Sequence, residues 1–264
     1  MQPRTAAMSY ECFKVDIADQ IATVTMDHPP VNAQNRRFRD EITAIFDELS
    51  DRDDVRAVIL TGAGEIFSAG ADIKERRGIS AQAGFYRQHN RVTRESFYAI
   101  LECEKPVIGA LNGPALGAGL ALAACCDILV ASEKAVLGMP EIDVGLMGGA
   151  KYVNMLFPRS KARRMLLTGE RVAGTDLYRL GVVEDCVAPE ELMAAAMAIA
   201  AEIAAKSPLA VRVTKQALNT TENLGLRDGY RYEQDLTVAM SKTDDAREAQ
   251  AAFVEKRAPV FTGR

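Results

Sequence analysis

Hydrophobic and polar positions alternate in two short runs near the start of the chain, "YECFKVDI" and "QIATVTMD", which meet at the polar "ADQ". A period of two with β-branched residues predicts a hairpin. The period then lengthens. In "RRFRDEITAIFDELSDR", Phe38, Ile42, Ile45, Phe46 and Leu49 fall on one face of a helix. "VRAVILTG" predicts a strand, and a loop and a helix at about 81–103 follow it. "PVIGALNG" predicts a short buried strand, after which a Gly/Ala stretch opens a helix; "DILVAS" and "AVLG" return to strands. Strands that are apolar throughout, in ββα-like order, predict an α/β fold with predominantly parallel sheets.

Beyond about residue 188 the strand pattern stops. "PEELMAAAMAIAAEIAAKSPLAVRVTKQALN" and "LRDGYRYEQDLTVAMSKTDDAREAQAAFVEKR" are Ala-rich and helical, with Ser207 placed to cap a helix that has Pro208 at its first position. So long a tail with so many apolar positions either completes the core or packs against another subunit. The expected organisation is a disordered extension at 1–7, an α/β core at 8–200 and a helical C-terminal region at 201–264.

Composition narrows the function. The chain of 264 residues is 48% hydrophobic and 26% charged, with 32 Lys and Arg against 36 Asp and Glu. A net charge of −4 argues against non-specific nucleic-acid binding, while leaving room for a small anionic ligand on a local basic patch. The five cysteines (Cys12, Cys103, Cys125, Cys126, Cys186) have no metal-ligand spacing, and His28 and His89 are the only histidines, so no metal site is expected. "MQPRTAAMSYECFKV" lacks the apolar core of a secretory signal, and no stretch approaches the length of a membrane span. A reducing, cytoplasmic setting is the expectation, with Met8 a second candidate start.

Three stretches are placed to carry chemistry. "IFSAGADIKE" follows a strand and strips its loop to Ser68, Ala69, Gly70 and Ala71 before Asp72. It lacks the third glycine of a dinucleotide fingerprint and the Gly-x-Ser-x-Gly context of a serine nucleophile. It is either a tight turn with Asp72 capping a helix, or a place where a carbonyl reaches the N–H of Ala69. "LGAGLA" opens a helix without acid, base or nucleophile. Glycine costs about 1 kcal/mol against alanine inside a helix, so either close packing or an approaching ligand accounts for Gly117 and Gly119. A helix start also carries N–H groups without intrahelical partners. In "GMPEIDVGLMGGAKYV", Glu141 follows Pro140 and Asp143 lies two residues on.

Taken in order, "FSAGADIKE", "NGPALGAGLALAACCDI" and "MPEIDVGLMGG" resemble the crotonase (enoyl-CoA hydratase/isomerase) superfamily from about residue 8 to the C-terminus, and the tail "FVEKRAPVFTGR" is similar to that of its members. The resemblance implies a spiral of ββα units whose helical C-terminal region forms a homotrimer or a dimer of trimers. It implies an acyl-CoA thioester as substrate and an enolate whose oxygen is gripped by two backbone N–H groups, by motif position those of Ala69 and Ala118. Each such donor contributes about 2.7–4 kcal/mol to the transition state. Gly70, Ala71, Asp72, Ile73, Leu116 and Gly117 flank the donors as substrate contacts. Phe253 and Lys256 match positions that approach CoA from a neighbouring subunit. No cofactor beyond the coenzyme A of the substrate, no nucleic acid and no membrane is implied.

The acid/base groups depart from the pattern. Hydratases of the superfamily typically use two glutamates; the second maps on Glu141, but the first maps on Ala121, which cannot move a proton. One carboxylate can shuttle a proton between two carbons, as in single-glutamate isomerases. It can also assist hydration of an activated acyl group, or hydration followed by carbon–carbon cleavage, as in hydroxycinnamoyl-CoA hydratase-lyases. Each use wants Glu141 desolvated, with its pKa raised toward working pH. Tyr230 and Tyr232 of "GYRYEQ" lie where such lyases place a substrate-facing tyrosine, or form one face of an amphipathic helix. Asp143 competes as base, though its motif position gives it no family role. His89 falls on the variable segment that covers the acyl pocket in relatives and reads as solvated or structural. Lys74, Arg76 and Arg77 are recruits for a CoA phosphate or a solvated turn. Loss of a carboxylate at 121 also fits a different class, a non-catalytic acyl-CoA binder.

Overall fold

The computed structural model of the chain describes residues 10–75 and 83–264. The extension expected at 1–7 and the two arginines Arg76 and Arg77 lie outside the described residues. The predicted hairpin is formed by β1 (Phe13–Ala18) and β2 (Ile21–Met26), antiparallel with Phe13 opposite Met26. Asp19 and Gln20 both take positive φ, as a two-residue turn matched to the strand twist requires. After β3 (Ala33–Gln34), the side chain of Asn35 accepts the Phe38 N–H and starts α1 (Arg36–Asp51). The helix buries the five apolar residues expected, and Arg39 with them.

The same two strands and a helix then recur. They are β4 (Ala57–Gly62), β5 (Gly70–Ala71) and α2 (Phe85–Leu101); then β6 (Val107–Leu111), β7 (Pro114–Leu116) and α3 (Ala118–Ala124). Next come β8 (Ile128–Ser132) and β9 (Val136–Gly138), a 3-10 turn at Pro140–Val144, α4 (Ala150–Leu156) and α5 (Arg159–Thr168). β10 (Arg171–Ala173), α6 (Gly174–Arg179) and β11 (Asp185–Val187) complete the mixed part. In each repeat the first strand enters a six-stranded sheet, ordered β1-β2-β4-β6-β8-β11 and parallel from β2 onward. The second strand leaves it for a smaller layer, β10-β9-β7 or β3-β5. The spiral of ββα units follows from this alternation. It also brings the residues that follow β5, β7 and β9 to one cavity.

Four helices make the tail: α7 (Leu192–Ala204), α8 (Pro208–Thr221), α9 (Leu226–Met240) and α10 (Asp244–Glu255). The two expectations for the tail divide between them. Leu192, Ala196, Ala200 and Ala204 form one buried row of α7 against Ile21, Ile59, Ile108 and Val130 of the large sheet. Small side chains at every fourth position let that helix lie close, so α7 completes the core. The expected boundary after residue 200 falls inside it. Helix α8, capped by Ser207 through the Ala210 N–H, is held by Lys215 instead. Its buried ammonium reaches Asp127 at 2.7 Å and the carbonyl of Lys105 at 3.1 Å. Burial raises the Asp127 carboxyl above its usual range even with Lys215 pulling the other way. Beyond that anchor the tail leaves Leu218, Leu226, Tyr230, Val238 and Phe253 exposed.

Candidate active site

The segment carrying β5 is fixed by buried polar groups. Asn32 donates to the carbonyls of Ile66 and Phe67, at 2.9 and 3.1 Å. The Ser68 hydroxyl donates to the Asn32 carbonyl at 2.7 Å and accepts from Gln34 Nε2 and the Gly70 N–H. At the end of the same stretch, Glu75 pairs at 2.9 Å with buried Arg39 and accepts the Arg36 N–H, which clamps it to α1. Asp72 accepts the Lys74 N–H at 2.8 Å, so its side chain caps the turn.

The segment that leads into β5 then meets β7 backbone to backbone. Ser68 and Ala115 form an isolated parallel bridge, with the Leu116 N–H donating to Ser68 at 2.9 Å and the Ser68 N–H to Pro114 at 3.1 Å. A Cβ on Gly119 would lie 2.2 Å from the Ser68 carbonyl oxygen, and one on Gly70 would lie 3.1 Å from the Ala118 nitrogen. Gly119 is therefore bare for packing. Gly117 is bare for another reason. Its φ is +55°, and a Cβ there would stand 2.6 Å from Glu141 Oε1. The Glu141 carboxylate thus rests on the peptide that begins α3, one residue from the Ala118 N–H.

The placement of one donor must be corrected. The Ala69 N–H is committed to the Val31 carbonyl at 3.0 Å, so Ala69 does not offer the N–H that the motif position implied. Gly70, at φ +92°, turns the chain, and the next amide bonded to that side is Asp72 N–H, to the Gln34 carbonyl at 3.3 Å. Successive residues of an extended segment face opposite ways. The intervening Ala71 amide accordingly faces away from β3.

Ala71, Ile73, Gly117, Glu141 and Asp143 line one cavity of about 490 Å³ that Ala69 also borders. Arg171, to which no sequence motif points, stands in its wall. Ala121 is buried and does not reach that lining, so the cavity receives no carboxylate from α3. Leu116 borders an adjoining cavity of about 460 Å³. Phe253 is 86% exposed and Lys256 ends α10 with φ +54°; neither borders either cavity. Tyr230 is exposed, the Tyr232 hydroxyl accepts from Gln216 Nε2 of α8 at 3.2 Å, and neither borders either cavity. His89 stacks beside Tyr86 with centroids 6.1 Å apart. The thiols offer no nucleophile: burial pushes Cys125 up to about 12 and Cys12 up to about 11.

Known proteins resemble this chain over nearly its whole length. The enoyl-CoA hydratase/isomerase family model matches residues 16–264. A Mycobacterium bovis protein named probable enoyl-CoA hydratase echA8 is 35% identical over 265 residues, spanning 97% of this chain and 100% of its own length. The short-chain-enoyl-CoA hydratase of Clostridium acetobutylicum is 35% identical over 243 residues, 90% of this chain and 92% of that one. The crystal structure of an enoyl-CoA hydratase from Bacillus anthracis has a TM-score of 0.91 at 31% identity, covering 96% of this chain and 100% of that chain.

Proposed function

Because the chain belongs to the crotonase (enoyl-CoA hydratase/isomerase) superfamily of enzymes, we propose that it transforms an acyl-CoA thioester whose carbonyl oxygen is held by the N–H groups of Ala71 and Ala118. Glu141 is the single acid/base. The observation that carries this reading is the close approach of the Glu141 carboxylate to Gly117, beside the Ala118 amide and on the same cavity as Ala71. Withdrawing a proton next to a thioester, or adding water across its conjugated double bond, moves negative charge onto the carbonyl oxygen. Fixed amide donors meet that charge without reorganising. With Ala121 apolar, Glu141 either takes a proton from one carbon and returns it to another, or takes one from a water whose oxygen adds to an activated acyl group and delivers it to the neighbouring carbon. Proton shuttling along the acyl chain needs only that one group, so it is the reaction we favour; hydration and hydration with cleavage need an activated acyl group in addition.

The test is turnover of short, branched and aromatic enoyl-CoAs in deuterated water, followed by mass and NMR. Double-bond migration with deuterium entering the acyl chain supports proton shuttling; a hydroxyacyl product supports hydration. Tight binding of CoA esters with neither product nor exchange would identify a non-catalytic binder. A second part of the proposal is a homotrimer or dimer of trimers. It is supported by the exposed apolar residues Leu218, Leu226, Tyr230 and Phe253 on α8, α9 and α10. Sedimentation at three or six subunit masses is expected, and a stable monomer at micromolar concentration overturns it.

A further inference from the structure

Arg171 opens β10 opposite Gly138 of β9, and Gly138 in turn lies opposite Leu116 of β7. A Cβ at Gly138 would stand 3.0 Å from Arg171 Cγ and 3.1 Å from Leu116 Cδ2. The glycine therefore leaves a trough across the small sheet, and the arginine stem lies in it. This places Arg171 in the walls of both cavities, the one with Ala71, Gly117 and Glu141 and the adjoining one with Leu116. Lys161 and Arg164, close to it in sequence, both pair with Glu170, at 3.0 and 3.1 Å. Arg171 makes no ion pair among the described residues, not even with Asp143 on the same cavity wall. A guanidinium stays charged at any working pH, and its fork of donors fits the oxygens of a phosphate or a carboxylate.

We infer that Arg171 holds an anionic oxygen group of the bound thioester, and so anchors the substrate by charge at a point separate from the carbonyl. The inference rests on the acyl-CoA reading above. Two parts of such a substrate carry that chemistry, the phosphates of coenzyme A and a carboxylate on the acyl chain. Arg171→Met keeps most of the stem and removes the charge, and Arg171→Lys restores charge without the fork. The measurement is KM and kcat with four thioesters: a neutral acyl group and a carboxylate-bearing one, each carried on CoA and on N-acetylcysteamine, which has no phosphate.

Removing this charge-assisted hydrogen bond in Arg171→Met is expected to raise KM by about 10–100-fold, with Arg171→Lys between it and wild type and kcat nearly unchanged. If the phosphates are the group held, the rise is seen with both CoA esters and with neither N-acetylcysteamine ester. If an acyl carboxylate is held, it is seen with both carboxylated esters and neither neutral one. Wild-type turnover with KM unaltered by Arg171→Met on every ester overturns this inference and leaves the functional reading standing. No turnover or binding of any ester by wild type overturns both.

Discussion

Glu141→Gln is expected to lower kcat by about 10²–10⁴-fold, the usual contribution of a general acid/base. Glutamine keeps the length and shape of the side chain, so its packing against Gly117 is retained. What it loses is the capacity to take a proton and give it back. With no carboxylate at Ala121, no second group on α3 can take over that step. KM should change little, because the carbonyl remains bound by the amides. Steady-state kinetics on the best substrate checks this, with the thermal midpoint as evidence that the fold is intact. Activity within a few-fold of wild type would exclude Glu141 as the essential group. Asp143, two residues on and on the same cavity, would then be the first alternative.

Ala118→Pro is expected to cost about 10²–10³-fold in kcat, the effect of deleting one donor to a developing oxyanion. Backbone donors are difficult to remove by mutation, but Ala118 is the first residue of α3, where proline is well tolerated because its missing N–H would have no intrahelical partner. The residue before it, Gly117, has φ +55° and ψ −121°, outside the α region that a following proline disfavours. Ala118→Gly keeps the N–H and should stay within about ten-fold of wild type, separating the donor from the side chain. A folded Ala118→Pro enzyme with wild-type kcat would remove this amide from the mechanism.

Much of the scaffold is legible without coordinates. The period-two runs mark the hairpin, and the five apolar residues of α1 mark its buried face, because local spacing sets which side of an element meets the core. For the two glycines of the α3 start, sequence leaves packing and a ligand as alternatives, and each explanation has its residue: Gly119 meets Ser68, Gly117 meets Glu141. The choice between Ala69 and Ala71 cannot be made that way. It depends on the pairing of a two-residue strand, β5, with another two-residue strand, β3, and on the positive φ of Gly70 between them. Such short strands have no periodicity to detect. Arg171 escapes a sequence reading for a related reason: only the folding of β10 against β9 brings it beside segments far away in the chain. Asn32 and Gln34 support the loop through long-range hydrogen bonds that no local pattern announces.

The turn that follows Glu141 exposes Ile142, Val144, Leu146 and Met147, while the groups assigned to the carbonyl oxygen belong to the peptide chain itself. Of these, Val144 and Leu146 line the cavity, so a change of side chain there reshapes its apolar wall and leaves the main-chain amides where they are.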